Sequence, residues 1–301
     1  MTAEPSSHTK LINYLIGLCK KGARWPSILA ESGFEVQVLE QSLRTSAGQH
    51  VKPDVIAASN RLLWALAFEC KGGLNADASQ VTNYAGLRPS DLTRWVTVYS
   101  PSQLQSRVCY VATEVNHSRL VDRIGDFPML TFNRDSIVKT RDFGISDLDG
   151  RFQTPVSLIG MMPPLGYYPF SEKDDDAVIV PWLLRTLVQL ALNKYRGGPE
   201  VLLGASFNLD SVLASSHHYW DCLSAEHKAA LRNRVDGILM RMINQDPEWK
   251  ELLERLQAGR GIRVRGTLTQ LKSKAQATID EYQRQPRIDR EWTQVATGES
   301  S

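Results

Sequence analysis

Apolar residues recur at three- and four-residue spacing over residues 9–21, where Leu11, Ile12, Leu15, Ile16 and Cys19 mark one face of an amphipathic helix. A second helical turn starts near Pro26, a residue suited to a first helical position, and Gly33 closes it. The period then changes to two. Phe34, Val36 and Val38 alternate with Glu35 and Gln37, which predicts a strand over 34–39. After a polar loop over 42–49, two β-rich runs, 53–58 and 63–70, are joined by the turn-forming Ser59-Asn60-Arg61 and predict a hairpin. Gly72-Gly73 ends the second run. Helical spacing follows over 77–87, strand patterning over 95–99 and 107–113, a helix over 117–124, a strand over 129–132 and a helix over 134–140. The order through residue 99 is αβββαβ, and the alternating elements as a whole imply an α/β core in which helices cover a central mixed sheet.

The stretch 161–177 brings three prolines and the acidic run Asp174-Asp175-Asp176, a composition shift typical of a domain boundary. The expected organisation is an α/β domain over 1–160, a linker over 161–177, a mainly helical domain over 178–282 and a flexible tail over 283–301. Helices are predicted over 181–195, 209–215, 224–243 and 247–256, with Ser224 and Glu226 marking the start of the third. A winged-helix unit and a partner-docking bundle both suit that pattern.

Composition narrows the classes. The 301 residues carry 35 Lys and Arg against 33 Asp and Glu, a formal charge of +2, which excludes a histone-like polycation and confines any nucleic-acid contact to a local patch. The longest apolar run, 178–192, is interrupted by Arg185 and Gln189 and falls short of the roughly 20 residues that cross a bilayer. No membrane span and no secretory leader are expected, so a cytoplasmic address follows. The four cysteines are scattered, supporting neither a disulfide framework nor a structural zinc, and His217, His218 and Cys222 lack the spacing of a zinc module.

The chemistry-bearing segment is Pro53-Asp54, followed after a hairpin's length by Glu69-Cys70-Lys71 at the end of an apolar strand. Strand side chains alternate, so Glu69 and Lys71 share one face while Phe68 and Cys70 point to the other. Charges at a buried strand end are costly without compensation. A divalent metal held by Asp54 and Glu69 would compensate, and would activate water against a phosphodiester with Lys71 beside it.

These residues resemble the motif of the PD-(D/E)xK nuclease superfamily, whose restriction-endonuclease-like fold has the same αβββαβ core. Gln80 and Tyr84, one helical turn apart, resemble the QxxxY element of its RecB-type members. The resemblance covers residues 9–140. It implies a Mg²⁺-dependent deoxyribonuclease, with Mn²⁺ able to substitute, in which Asp54 and Glu69 are metal ligands, Lys71 orients or activates water, and Gln80 and Tyr84 reach toward the metal and the DNA backbone. Products would be 5′-phosphates and 3′-hydroxyls. A further acidic ligand upstream is also implied; Glu31 is favoured for it, with Glu40 as the alternative. No late cysteine cluster exists, so no iron-sulfur cluster is expected. His8 sits in a polar amino-terminal tail and is given no role.

Between residues 255 and 274 the basic residues Arg255, Arg260, Arg263, Arg265, Lys272 and Lys274 occur with no acidic residue among them, a run able to follow a DNA backbone or to form a solvated face. By analogy the expected setting is prokaryotic restriction or anti-phage defence, as a homodimer or beside a partner such as a separate ATPase or defence-system subunit. The rival expectations are a non-cleaving DNA-binding or scaffolding subunit that keeps the fold, and a transcriptional regulator using the carboxy-terminal helices.

Overall fold

The computed structural model describes residues 4–22, 24–73, 78–195, 197, 200–256 and 261–284. In chain order the first half comprises α1 (Ser7–Leu18), α2 (Ile28–Glu31), β1 (Phe34–Leu39), β2 (Leu43–Arg44), β3 (His50–Val51), β4 (Val55–Ser59) and β5 (Trp64–Lys71). It continues with α3 (Ala78–Ala85), α4 (Pro89–Leu92), β6 (Gln105–Thr113), α5 (Glu114–Val121), β7 (Met129–Phe132), β8 (Ser136–Lys139), α6 (Ser146–Arg151) and β9 (Val156–Ser157).

Among the described residues seven of these strands form a mixed sheet in the order β1-β4-β5-β6-β7-β8-β9, and β2 pairs with β3 apart from it. The hairpin partners β4 and β5 pair antiparallel, whereas β5, β6 and β7 run parallel, the crossovers being made through α3, α4 and α5. Alternation sorts the strand residues onto two buried faces. Leu66, Phe68 and Cys70 join α1 in one apolar cluster, while Ala65 and Ala67 join Tyr84, Leu92 and Leu120 in the other. Helix α1 starts at an N-cap, Ser6, whose side chain accepts from the Thr9 amide.

Two expectations in this half fail. Residues 95–99 alternate in polarity but form no strand, and no ladder of the sheet includes them. Their backbone is held instead by side chains, with Gln37 accepting from Thr97 N and Asn60 from Tyr99 N. The helix expected over 134–140 is strand β8. A tight turn, with Asn133 N donating to Ser136 O, folds it back on β7, and Ile137 and Val138 suit the extended backbone.

The second half comprises α7 (Asp176–Lys194), β10 (Ser206–Asn208), α8 (Leu209–Ser216), α9 (Ala225–Gln245), α10 (Pro247–Leu252), β11 (Leu253–Leu256), β12 (Gly261–Val264) and α11 (Leu268–Arg284). It is less purely helical than its sequence suggests. Residues 253–256, expected as the end of a helix, pair with β12, which lies between β10 and β11 in a small antiparallel sheet. Helix α7 begins before Pro181, not at it, since Val178, Ile179 and Val180 are already buried in the shared core. The expected tail over 283–301 begins inside α11, which runs to Arg284, and residues 285–301 lie outside the described residues.

The expected linker over 161–177 is knitted into the body. Asn13, inside α1, donates to Tyr168 O and accepts from Tyr168 N, and Asp174 accepts from Ser6 N and Thr9 Oγ1. Tyr168 and Phe170 are fully enclosed, and one apolar cluster runs from α1 through α7 to α11. None of the described helices is long and apolar enough to cross a membrane.

Candidate active site

The ladders β1–β4 and β4–β5 carry the site at one end. Leu39 pairs with Val55 and Val55 with Phe68, so the next residues along, Glu40, Asp54 and Glu69, stand abreast on three neighbouring strands. Backbone bonds continue through them: Glu40 N donates to Asp54 O and Asp54 N to Phe68 O, both at 2.9 Å. All three residues are about 95% withdrawn from solvent, with residual exposures of 4%, 5% and 5%. They line a cleft of about 460 Å³ with His8, Lys52, Lys71, Gln80 and Lys173.

Glu69 is held on every side. Its Oε1 accepts from Lys71 Nζ and from Gln80 Nε2, both at 2.8 Å, and its Oε2 accepts from the Tyr84 hydroxyl at 2.5 Å. Lys71 Nζ also donates to Gln80 Oε1 at 2.5 Å. The four-residue spacing on α3 puts Gln80 and Tyr84 over the same carboxylate, as the sequence suggests. Burial first, and then the Glu69 charge, push the Tyr84 phenol far above its usual range, so its hydroxyl remains a donor.

Asp54 uses its two oxygens differently. Oδ2 accepts from Cys70 N at 2.6 Å, and Oδ1 faces His8 Nε2 at 3.5 Å. His8 Nε2 also lies 3.3 Å from Glu40 Oε1, and its Nδ1 lies 3.2 Å from Cys70 O. His8, Glu40 and Asp54 thus offer one nitrogen and two oxygens within 4.8 Å of one another, a mixed donor set suited to a divalent cation. Glu69 stands directly beside Asp54, but its oxygens are engaged by Lys71, Gln80 and Tyr84.

Two sequence assignments change here. His8 does not lie in a polar tail: α1 begins at Ser7, two residues earlier than the apolar period shows, and Gly72 lets the helix start close against the end of β5. A Cβ at Gly72 would fall 2.5 Å from His8 N. Glu31, favoured as the upstream ligand, is turned to the surface, where it pairs with Arg151 and accepts from Ser27 Oγ; the acidic residue in the cleft is Glu40. The ladder register decides between them, since only the residue after Leu39 falls opposite Asp54.

The local charges are strongly interdependent. Burial raises the Asp54 carboxyl, the neighbouring Glu69 raises it further, and His8 only partly offsets this, so it stands well above the ordinary range. Burial would also raise Glu40, but the His8 hydrogen bond and the surrounding cationic groups outweigh it and hold Glu40 at about 2. Burial would lower His8; the Asp54 charge and the Glu40 hydrogen bond prevail and lift it to about 9. His8 therefore carries a proton at neutral pH and stands as a cation between two carboxyl groups.

The basic run is acid-free along the chain but not in space. Arg255 pairs with Asp236, Arg263 and Arg265 both pair with Glu254, and Lys274 pairs with Asp246 and Glu248. Lys272 is exposed, and Arg260 lies outside the described residues. The DNA-tracking stripe read from the sequence is thus largely neutralised by acids contributed from α9, α10 and β11. Lys52, Lys173 and His227, which adjoin the cleft or its wall, carry no signal legible in the sequence.

Residues 7–148 match the family model of the MJECL32 domain, and residues 172–293 match the model of a domain of unknown function (DUF8601). The first match contains His8, Glu40, Asp54, Glu69, Lys71, Gln80 and Tyr84, and the second contains Lys173 and His227. No curated protein and no solved structure matches the chain.

Proposed function

We propose that the chain is a divalent-metal-dependent nuclease that hydrolyses DNA phosphodiesters, built on a restriction-endonuclease-like core of the PD-(D/E)xK type. The observation that carries this reading is the alignment of Glu40, Asp54 and Glu69 on adjacent strands, with His8 between the first two and Lys71 on the third. The strand order, with an antiparallel hairpin followed by a parallel crossover, agrees with the αβββαβ core. The Gln80 and Tyr84 hydrogen bonds to Glu69 agree with the QxxxY element.

Mg²⁺ or Mn²⁺ would be held by Asp54, Glu40 and His8, with Glu69 adjoining. Bound there, it would supply positive charge against the phosphorane-like transition state and a lowered pKa for water. The chain's own groups do the rest. His8 must release its proton before it can ligate, because only the neutral imidazole has a free lone pair. Lys71, fixed between Glu69 and Gln80, directs an N–H toward an attacking water or a non-bridging phosphate oxygen. Water attacks phosphorus in line and gives up a proton to solvent, the phosphorus to 3′-oxygen bond breaks, and the departing oxygen takes a proton from a solvent water, leaving a 3′-hydroxyl and a 5′-phosphate.

The test incubates purified protein with linear, circular and single-stranded DNA in Mg²⁺, Mn²⁺ or EDTA, beside Glu69→Ala and Lys71→Ala. Metal-dependent cutting lost in both variants supports the reading. Equal cutting by all three proteins, or none by any of them, counts against it, and DNA binding without cutting would favour the non-cleaving subunit.

A further inference from the structure

Behind Glu40 stands a turn contributed by the carboxy-terminal half. Leu223 forms a parallel bridge with Leu39, and Ser224 N donates to Leu39 O at 3.2 Å. Ser42 Oγ donates to Glu226 Oε2 at 2.7 Å. The entry to α9 thereby grips the chain on both sides of Glu40, whose φ of 53° lies in the left-handed region. That conformation is strained for a residue with a side chain, and it persists where its surroundings over-determine it.

The same turn places His227 against the carboxylate. Ser224 caps α9 by accepting from His227 N, and the ring behind that amide is almost fully enclosed. Tyr168 Oη lies 2.6 Å from His227 Nε2. With Tyr168 donating there, the ring proton sits on Nδ1, which faces Glu172 Oε2 at 3.3 Å and Glu40 Oε2 at 4.0 Å. Among the described residues, His227 Nδ1 and Glu172 Oε2 are buried without a hydrogen-bond partner. Lys52 Nζ approaches Glu40 Oε2 at 2.9 Å, while His8 takes Oε1. The outer oxygen of Glu40 is thus backed from the second half of the chain while the inner one looks into the cleft.

We propose that His227, with the α9 turn that carries it, is a positioning residue for Glu40, so that the carboxy-terminal half completes the metal centre. This rests on the metal-centre reading given under Proposed function. It also accounts for the start of α9, whose first turn is occupied by Leu39 and Ser42 instead of standing free to enter a DNA groove.

The experiment titrates Mn²⁺ into the full-length protein, follows free Mn²⁺ by electron paramagnetic resonance, and records thermal unfolding in EDTA alongside. Loss of an outer-sphere partner typically weakens a metal site 10- to 100-fold, so His227→Ala is expected to bind Mn²⁺ at least about tenfold more weakly. His227→Asn, whose amide places a donor near the Nδ1 position, is expected to recover most of that loss. A purely structural role would lower the unfolding midpoint of both variants and leave their Mn²⁺ affinity at the wild-type value, which would overturn the proposal. Should His227→Ala fail to fold, Tyr168→Phe replaces it: loss of the tautomer-fixing donor should weaken Mn²⁺ several-fold, and unchanged affinity would again overturn the proposal. Asp54→Asn separates the two levels. If it abolishes Mn²⁺ binding while the His227 variants bind normally, only this inference falls; if wild type shows no binding that Asp54→Asn removes, the metal centre falls with it.

Discussion

Asp54 and Glu69 face each other across the β4–β5 ladder, one residue beyond the Val55–Phe68 pair, and together they hold two carboxyl groups almost out of contact with water. Neither could stay there ionised without compensation. Asp54 has the Cys70 amide and His8, and Glu69 has Lys71, Gln80 and Tyr84. Glu69→Gln should keep the shape of this network while removing its charge. Cleavage is expected to fall at least about 100-fold with little change in DNA affinity, as measured by single-turnover kinetics beside fluorescence anisotropy.

Tyr84 tests the same network from the other side. Its ring is buried on the second face of the sheet, edge-on to Tyr110, and only its hydroxyl reaches the site. Tyr84→Phe keeps the packing and leaves Glu69 Oε2 without that donor, which should cost about 1–3 kcal/mol in urea unfolding. A loss of stability with activity intact would remove Tyr84 from the functional network.

The charge state of His8 predicts a pH dependence for the metal-free protein. Its pKa rises from an ordinary 6.5 to about 9 in the folded chain. A raised folded value stabilises most below the unfolded pKa, so the contribution is complete below about pH 6.5 and disappears as pH rises through about 9. The upper bound is about 3 kcal/mol. Denaturant unfolding in EDTA between pH 6 and 10 should show this decline, and His8→Ala should flatten it. Mn²⁺ affinity should move the opposite way, improving with rising pH as the imidazole loses its proton.

Gly72→Ala addresses the seam between α1 and β5. The added methyl would meet the His8 backbone nitrogen at 2.5 Å and its Cα at 3.0 Å, so the helix start has to move. A destabilisation of about 1–3 kcal/mol is expected, together with weakened Mn²⁺ binding, because His8 is carried on that helix start. Gly73, one residue further on, has nothing within 4 Å of its would-be Cβ, and Gly73→Ala serves as the control.

Periodicity makes the hairpin, the Asp54–Glu69–Lys71 grouping and the QxxxY helix legible in the sequence, because each rests on spacing within or between adjacent elements. His8 and Glu40 are harder to see. Helix α1 starts at a polar Ser6-Ser7-His8 segment that carries no apolar stripe, and Glu40 is singled out only by the pairing of β1 with β4, a long-range relationship. The failed strand at 95–99 and the strand mistaken for a helix at 136–139 are short segments, settled by contacts made elsewhere in the chain: Gln37 and Asn60 hold the first, and pairing with β7 extends the second. The neutralised basic run shows the same limit for charge. Acids from other elements reach Arg255, Arg263, Arg265 and Lys274, and a count along the chain does not see them.

The enclosure of Tyr168 between Asn13 of α1 and His227 of α9 bears on how the molecule comes apart. A protein truncated at residue 160 would lose the groups that Asn13 and Thr9 hold and would bare the apolar side of α1 to water. Heat should therefore melt both halves in a single cooperative transition, and a protease that nicks the segment between them should release no independently folded fragment.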